Sequence, residues 1–278
     1  MNRLFFDLET SPNIVLSWRV GRKINIDHDN VLRERSIICI GYKWENDKKA
    51  HGLVWDGKQD DKAMLKEFVE IANMADELVA HNGDRFDLPW IRTRCIFHGI
   101  PMFPSYKTID TLQWARRRFL FNSNRLDYLG KFLGVGGKIK TEFDLWKRIT
   151  LDNDREALER MLVYCKRDVQ MLQEVYNKLA KQSPHHSHVG AMMGLDKWTS
   201  PFNGGKNVVL SKHVVSAYGT RKHRMQCLDT GRYFTISDKS FSDYREWRKD
   251  KDDKAKKPTA LTRGSTSKAD TKCRADRQ

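Results

Sequence analysis

Short apolar runs alternate with helical patterns over residues 1–184 of the 278-residue chain. The runs have the length and the aliphatic or aromatic content of strands, and a polar turn at 45–48 gives the second and third the pattern of a hairpin. We predict strands at 4–8, 37–44, 50–55 and 78–80. Apolar residues at helical spacing predict helices at 60–74, 88–98, 109–121, 126–133 and 155–179. This order of elements predicts an α/β domain over 1–184.

The pattern changes after Pro184, where the cluster 185–188 marks a domain junction. We predict that residues 185–242 form a small, mostly β region, in which basic and aromatic residues alternate from Tyr218 to Phe234, as in a β-hairpin. Residues 243–278 are dense in charge, with little after Trp247 that could enter a core. We therefore predict a basic disordered tail over 243–278.

The net charge of the chain indicates which kind of partner it binds. The chain has 51 Lys and Arg against 36 Asp and Glu, a net charge of +15, and the surplus per residue is greatest after residue 184. Such a balance favours a polyanion, most commonly nucleic acid, although a solvated basic surface would give the same count.

Other classes of protein are disfavoured. Apolar runs are too short to span a bilayer, so we expect no membrane partner, and Asp7 falls where a signal peptide needs its apolar segment. The five cysteines are scattered and lack C-x-x-C spacing, which argues against a disulfide framework. We expect a cytoplasmic protein, in a host cytoplasm if the chain is phage-encoded.

The first strand carries two acids, Asp7 and Glu9, at positions i and i+2. Side chains at this spacing point to the same face of a strand, so two carboxylates lie together while Phe6 and Leu8 enter the core. Like charges on a buried strand are costly unless a cation neutralises them, and Mg²⁺ or Mn²⁺ prefers oxygen ligands. The alternative is a strand end that points into solvent.

Two further acids stand in distinctive surroundings. Asp87 follows a strand and opens a helix within His81-Asn82-Gly83-Asp84-Arg85-Phe86-Asp87, where it supplies a third carboxylate or simply caps the helix. Tyr164 and Asp168 are i and i+4 on the long helix and share one face. An ordinary Tyr–Asp pair on a solvated helix face is the competing interpretation.

In this order the three motifs, D-x-E, N-x-x-x-F-D and Y-x-x-x-D, resemble the DEDD superfamily of 3′–5′ exonucleases, which has a ribonuclease H-like fold. The resemblance spans about residues 1–180. Phe5-Phe6, Thr10 and Leu88-Pro89 are similar to the exonuclease domains of family B DNA polymerases. The histidine type of the superfamily has His where this chain has Val163, whereas the tyrosine type has the equivalent of Tyr164.

The resemblance implies a ribonuclease H-like mixed sheet flanked by helices. It implies that Asp7, Glu9, Asp87 and Asp168 are catalytic ligands of two divalent cations, Mg²⁺ or Mn²⁺. Two such ions about 4 Å apart activate a water and stabilise both oxygens of a phosphodiester displacement. Tyr164 would orient the attacking water. By the same resemblance, Thr10 and Asn82 would hold the 3′-terminal nucleotide, whereas His81 would have a structural role.

The second region resembles a degenerate zinc ribbon of the kind found in transposases and phage proteins, in the segments 198–205 and 221–234. The four ligand positions hold Ser200, Asn203, Cys227 and Thr230, so only one thiol is present and we predict no zinc there. Histidines elsewhere in the region could rebuild a site: His185, His186, His188, His213 and His223. The basic residues of the expected hairpin are predicted to bind nucleic acid: Arg221, Lys222 and Arg224.

Together these features predict a metal-dependent 3′–5′ exonuclease that acts on single-stranded DNA. An exoribonuclease of the same superfamily and a nucleic-acid-binding protein with an inert nuclease fold are the alternatives. The chain is too short to hold a polymerase as well, so a proofreading role would need a replication or repair partner in trans. Arg116-Arg117-Arg118 cannot all share one helix face, so at most part of this run contacts phosphate.

Overall fold

A computed structural model describes residues 1–21, 23–137, 142–184 and 187–256, without the side chains of 254–256. Its strands are β1 (Arg3–Thr10), β2 (Ile14–Val15), β3 (Val31–Arg33), β4 (Ile37–Trp44), β5 (His51–Val54), β6 (Glu77–Ala80), β7 (Thr108–Asp110), β8 (Val208–Val215), β9 (Arg221–Cys227) and β10 (Tyr233–Ser237). Its α-helices are α1 (Lys62–Asn73), α2 (Asp87–His98), α3 (Thr111–Arg118), α4 (Leu126–Phe132), α5 (Phe143–Leu151), α6 (Arg155–Ala180), α7 (Val189–Met192) and α8 (Asp238–Lys256).

A five-stranded mixed sheet forms the centre of the first compact unit, which comprises Met1–Leu195 and Pro201–Gly204. The strand order is β5-β4-β1-β6-β7. β4 runs antiparallel to both β1 and β5, whereas β6 runs parallel to β1 and β7. The predicted mixed α/β fold with a ribonuclease H-like sheet is confirmed.

Side chains of β1 alternate between two cores. Leu4, Phe6 and Leu8 pack on one face, against α1 and α2. Phe5 points to the other face and packs with α3, α4 and α6. Because β1 lies in the middle of the sheet, its residues with odd numbers face the long helix α6. Asp7 and Glu9 therefore follow Phe5 along the face that α6 covers.

The helix α6 approaches the sheet closely at Gly41. The Gly41 amide donates to Cys165 Sγ over 3.1 Å, and the same thiol donates to the carbonyl of Asp7 over 3.3 Å. A Cβ on Gly41 would lie 3.0 Å from Cys165 Sγ and 3.1 Å from the carbonyl carbon of Cys165. Glycine at this strand position thus sets the distance between α6 and β1.

Several elements differ from the expectation. The predicted helix over 109–121 is a strand followed by a helix, because Asp110 Oδ1 accepts the backbone N–H groups of Leu112 and Gln113 and caps α3. The helix α5 and the hairpin β2–β3 were not predicted. Both are short, and β2 and β3 contain only two and three residues, too few for a periodic pattern.

The second compact unit contains Asp196–Ser200 and the described residues from Gly205 onward. Its three-stranded antiparallel sheet has the order β10-β9-β8, in agreement with the expected small β region. Trp198 is almost fully buried, with its ring 4.5 Å from Trp247 and 5.7 Å from Tyr244. His223 stacks on Phe241 at 4.0 Å. Aromatic packing thus supplies a core to this small unit.

The expectation of a disordered tail from residue 243 is wrong for its first part, because α8 continues to Lys256. Phe241, Tyr244 and Trp247 recur every three residues and place their rings on one side of the helix. The dense charges of this segment obscured that spacing in the sequence. Residues 257–278 lie outside the described residues.

The four described cysteines, Cys39, Cys95, Cys165 and Cys227, are free and buried. Cys273 lies outside the described residues, as do the junction histidines His185 and His186. A search of the described helices finds none that is long and apolar enough to cross a membrane.

We expect Gly41→Ala to destabilise the protein by about 1–3 kcal/mol, because the new methyl group meets the backbone of α6. Urea denaturation followed by circular dichroism measures the change. Gly57→Ala is the control, since a Cβ at Gly57 meets no atom within 4 Å. Equal stability of the two variants would contradict the role of the close approach.

Candidate active site

Three of the four acids singled out in the sequence lie together between β1 and α6. Carboxylate oxygens of Asp7, Glu9 and Asp168 are all within 4.8 Å of one another. Asp7 and Glu9 are half-buried, and Asp168 is fully buried. The structure therefore does not support a strand end in open solvent for the pair on β1.

Tyr164 accompanies Asp168 one turn earlier on α6. Only 9 % of Tyr164 is exposed, and its neighbours in the core include Cys165 and Met161. The interpretation of an ordinary pair on a solvated helix face is wrong, because this face of α6 packs against the sheet. The i, i+4 spacing aligns the phenol with the carboxylate along the same side of the helix.

Asp87 occupies the first turn of α2, where only 2 % of the residue is exposed. β6 pairs with β1 only from Arg3 to Phe5, so the backbone of β1 beyond Phe5 is open toward α2. Asp87 Oδ1 accepts the amide of Leu8 over 3.2 Å in this opening. The carboxylate thus binds the strand that carries Asp7 and Glu9. The N-cap position of α2 is held by Phe86, which makes no side-chain capping hydrogen bond.

The electrostatics of Asp87 reflect its acidic surroundings. Burial raises the pKa of the Asp87 carboxyl well above its usual value, and the charges of Asp7 and Glu9 raise it further. A site in which carboxylates disfavour one another's ionisation is stabilised by bound cations. All ligand atoms offered are carboxylate oxygens, which hard divalent cations such as Mg²⁺ and Mn²⁺ prefer. The residues therefore fit such ions.

A second buried acid shows the contrasting arrangement. Asp61 receives two hydrogen bonds of 2.8 Å from Arg94, one at each oxygen, and another of 2.6 Å from His98. Burial would raise the pKa of Asp61, but its bonds to Arg94, to the Ile37 amide and to His98 lower it overall. Although Asp60, Asp61 and His98 lie close enough to hold a metal, the guanidinium already supplies the positive charge. This cluster is structural.

The loop before α2 has its shape for steric reasons. Asn82 has a φ of 75°, in the left-handed region that asparagine tolerates. The backbone N–H of Asn82 donates to Asp110 Oδ1 over 2.9 Å. A Cβ on Gly83 would lie 2.4 Å from that of Ala80. His81 makes hydrogen bonds through both ring nitrogens, to Thr111 Oγ1 and to the Asn124 carbonyl. Asn82 thus has a backbone role, and its contact with the substrate stays a prediction.

Thr10 lies at the end of β1, just beyond the acids, and is 7 % exposed. Its Oγ1 accepts a 2.8 Å hydrogen bond from Arg35, whose guanidinium also lies 4.8 Å from the ring of Trp90. Sequence reasoning did not find Arg35. No local pattern marks it, because Thr10 and Arg35 are 25 residues apart in the chain.

The arginine run of α3 divides between two cavities. Arg116 lines a cavity of about 670 Å³ together with Asn82, Asn122 and Arg125. Arg117 and Arg118 line a separate cavity of about 280 Å³. The expectation that the run does not share one face is thereby confirmed. The larger cavity places guanidinium groups beside the loop that leads into Asp87.

The basic residues predicted in the second unit do not form one patch. Lys222 and Arg224 are exposed and alternate with the buried His223 and Met225, so they share the open face of the sheet. The strand register places Lys212 opposite Arg224 on the same face. Arg221 is exposed at the strand end, but its position in the alternation is that of His223.

The four residues at the ligand positions of the zinc-ribbon pattern have different environments. Ser200 and Cys227 are fully buried in the second unit, and Thr230 lies on an exposed turn of that unit. Asn203 is exposed and belongs to the first unit. Of the other histidines, His213 bonds His223 through Nδ1 over 2.7 Å, and His188 caps α7. The absence of zinc stays a prediction.

Comparison with protein families identifies the class of this chain. Residues 24–180 match the family model of the RNase_H superfamily, so the chain belongs to that superfamily. The match includes Asp87, Tyr164 and Asp168 but begins after β1, so Asp7 and Glu9 join the site on structural grounds. Acidic clusters of this kind accompany the divalent metals that RNase H-like folds typically use.

Solved structures agree at the level of the fold. The chain is similar to a family B DNA polymerase from the hyperthermophilic archaeon Pyrobaculum calidifontis, with a TM-score of 0.51 and 17 % sequence identity. The similarity covers 65 % of this chain and 24 % of the polymerase. A sequence search of curated proteins finds no match. The chain thus has an RNase H-like nuclease fold that is also present in a polymerase.

We expect Mg²⁺ or Mn²⁺ to raise the melting temperature of the protein, because a cation relieves the repulsion among the clustered carboxylates. An ion at a hundred times its Kd adds about 2.7 kcal/mol of stability. Asp87→Asn should melt a few degrees higher than the native chain in EDTA, since it removes one buried charge but keeps an acceptor for Leu8. The same variant should lose most of the metal-induced rise.

Differential scanning fluorimetry with and without metal checks both shifts. Asp84→Asn is the matched control, because Asp84 is an exposed acid in the same loop. An Asp87→Asn protein that is less stable in EDTA, or that keeps the full metal response, would contradict the assignment.

Proposed function

We propose that this protein is a metal-dependent 3′–5′ exonuclease of the tyrosine type of the DEDD superfamily, acting on single-stranded DNA. The observation that carries the proposal is the convergence of four acids from three separate elements. Asp7 and Glu9 come from β1, Asp168 from α6 and Asp87 from α2, which is hydrogen-bonded back to β1. The RNase_H superfamily membership gives this convergence its chemical class.

In this proposal Asp7, Glu9, Asp87 and Asp168 hold two divalent cations, Mg²⁺ or Mn²⁺. Bound there, the ions supply positive charge for the phosphate oxygens and acidify a water near neutral pH. The buried carboxylates fix the positions of the charges before the substrate arrives, which avoids reorganisation during the reaction. The Tyr164 hydroxyl, held on the same helix face as Asp168, orients the attacking water.

A cavity beside the loop that leads into Asp87 supports a nucleotide as the substrate. This cavity of about 670 Å³ is lined by polar groups, among them Asn82, and by the charged Arg116, Arg125 and Asp127. Its volume accommodates a nucleotide, whose phosphate the arginines can neutralise. We assign Asn82 and Thr10 to the 3′-terminal nucleotide. Arg35 holds the Thr10 hydroxyl in place for that contact.

The second unit, taken by itself, has a surface that suits single-stranded nucleic acid. Lys212, Lys222 and Arg224 face outward from one side of its sheet, and Tyr233 is 56 % exposed on the neighbouring strand. Charge with an exposed aromatic ring suits a single strand. We place Arg221 at the margin of this surface. A replication or repair partner in trans would give the exonuclease a proofreading role in the cytoplasm.

The first test uses 5′-labelled single-stranded DNA and RNA of one sequence, incubated with Mg²⁺ or Mn²⁺. We expect products that shorten from the 3′ end of DNA and disappear in EDTA. Asp168→Asn should reduce the rate at least a hundredfold, because it removes a carboxylate ligand of the cations that would neutralise the reacting phosphate. Tyr164→Phe should lower kcat by on the order of a hundredfold and leave DNA binding intact.

Asp84→Asn, an exposed acid near Asp87, is the control and should keep full activity. Preferential cleavage of RNA would move the substrate to the exoribonuclease alternative with the same site. Tight binding without cleavage of either strand would refute the enzyme and favour a binding protein.

The paired substitution of Lys222 and Arg224 by alanine tests the second surface. We expect weaker binding of single-stranded DNA and a salt dependence reduced by roughly two ion contacts, because each side chain releases about one counterion. Fluorescence anisotropy over a range of salt concentrations measures both. Arg221→Ala is the comparison and should have a smaller effect; an unchanged slope in the pair would contradict the proposed surface.

A further inference from the structure

The described residues of 13–21 and 23–35 form an arm that follows the end of β1, directly after the acids. Its short strands β2 and β3 form an antiparallel pair, and most of the described residues between them are exposed. Trp18 and Val20 are fully exposed, at 104 % and 101 %, and Leu16 is 62 % exposed. Leu16, Trp18 and Val20 together form an exposed apolar surface. Exposed apolar patches mark interaction sites, so we expect a ligand to bind here.

The base of the arm is fixed to the body of the first unit. Arg35 donates to the Thr10 hydroxyl and, over 3.2 Å, to the Ser11 carbonyl. At the end of β3, Arg33 donates hydrogen bonds to the Thr150 carbonyl, over 2.7 Å, and to the side chain of Gln59. Two arginines thus anchor the base of the arm, and Arg35 does so at Thr10 and Ser11, the two residues that follow Glu9. A ligand on its exposed part would lie on the chain segment that leaves the acidic cluster.

Charge distinguishes among the occupants of this surface. From Ser11 to Ile26 the sequence has no acid and three basic residues, Arg19, Arg22 and Lys23. Arg19 and Lys23 are exposed, whereas Arg22 lies outside the described residues. Acids return at Asp27 and Asp29, each of which lies 3.0 Å from a ring nitrogen of His28. An exposed indole followed closely by cations suits a strand of stacked bases and phosphates, whereas a protein partner would need acidic complements.

We propose that the arm binds the single strand next to the nucleotide in the active site, with Trp18 stacked on a base and Arg19 and Lys23 near its phosphates. This inference rests on the proposed exonuclease function. It adds a contact that strengthens the binding of longer strands and leaves the binding of single nucleotides unchanged. Trp18 is a positioning residue here, since it touches the substrate away from the reacting phosphate.

The test compares cleavage of a p-nitrophenyl ester of thymidine 5′-phosphate with cleavage of oligonucleotides of increasing length. We expect Trp18→Ala to lower kcat/KM about tenfold on the longer strands, through KM, and to leave the small ester unchanged. Trp18→Phe should retain most of the activity, because it keeps an aromatic face. Leu120→Ala is the matched control, since Leu120 is an equally exposed apolar residue of the same unit, at 102 %.

Anisotropy with labelled DNA in EDTA separates this inference from the proposed function. Should the native chain cleave nothing, a tenfold weaker affinity of Trp18→Ala would still support the arm as a strand-binding element. Unchanged affinity and unchanged kcat/KM at every length would overturn the inference, as would an equal loss on the small ester. A change in sedimentation of the free Trp18→Ala protein would overturn it in favour of contact between copies of the chain.

Discussion

The close packing of α6 on the sheet at Gly41 is the contact on which the candidate site depends. Cys165 lies against the Gly41 backbone and bonds the carbonyl of Asp7. Tyr164 and Asp168 lie on the same helix, one residue before and three residues after Cys165. The contact of Cys165 with the sheet therefore holds the side chains of Tyr164 and Asp168 close to β1. A larger residue at position 41 would separate the helix that carries Asp168 from the strand that carries Asp7 and Glu9.

Burial and like charge impose an electrostatic cost on the candidate site that distinguishes it from the buried cluster around Asp61. Burial and the charges of Asp7 and Glu9 raise the pKa of Asp87, whereas the hydrogen bonds of Arg94 and His98 overcome burial and lower that of Asp61. Both clusters contain carboxylates close enough to hold a metal. Their difference lies in what compensates the charge: a guanidinium in a structural site, and bound cations in the site that we propose to be catalytic.

The second unit shows how a small domain acquires a core from aromatic residues. Trp198, Tyr244 and Trp247 pack together, and Phe241 stacks on His223. In a domain of this size, burial of such rings can replace the stability that a structural metal provides. This packing leaves the opposite face of the sheet available for Lys222 and Arg224.

The sequence by itself determined the α/β order, because alternation on a strand and i, i+4 spacing on a helix are local properties. The same spacing marked Asp7 with Glu9, and Tyr164 with Asp168, as pairs on one face, whereas the mixed sheet and a joint site with Asp87 were expected from the resemblance to the DEDD superfamily. It did not reveal β7, α5 or the helical part of the expected tail, whose signals are short or hidden among charges. Only the tertiary structure decided that Arg35 contacts Thr10 and that Arg94 neutralises Asp61. Likewise, only the structure shows that Trp18 is exposed on the chain segment that follows β1. Such relations join residues far apart in the chain, and burial and proximity arise only when the sheet and helices pack.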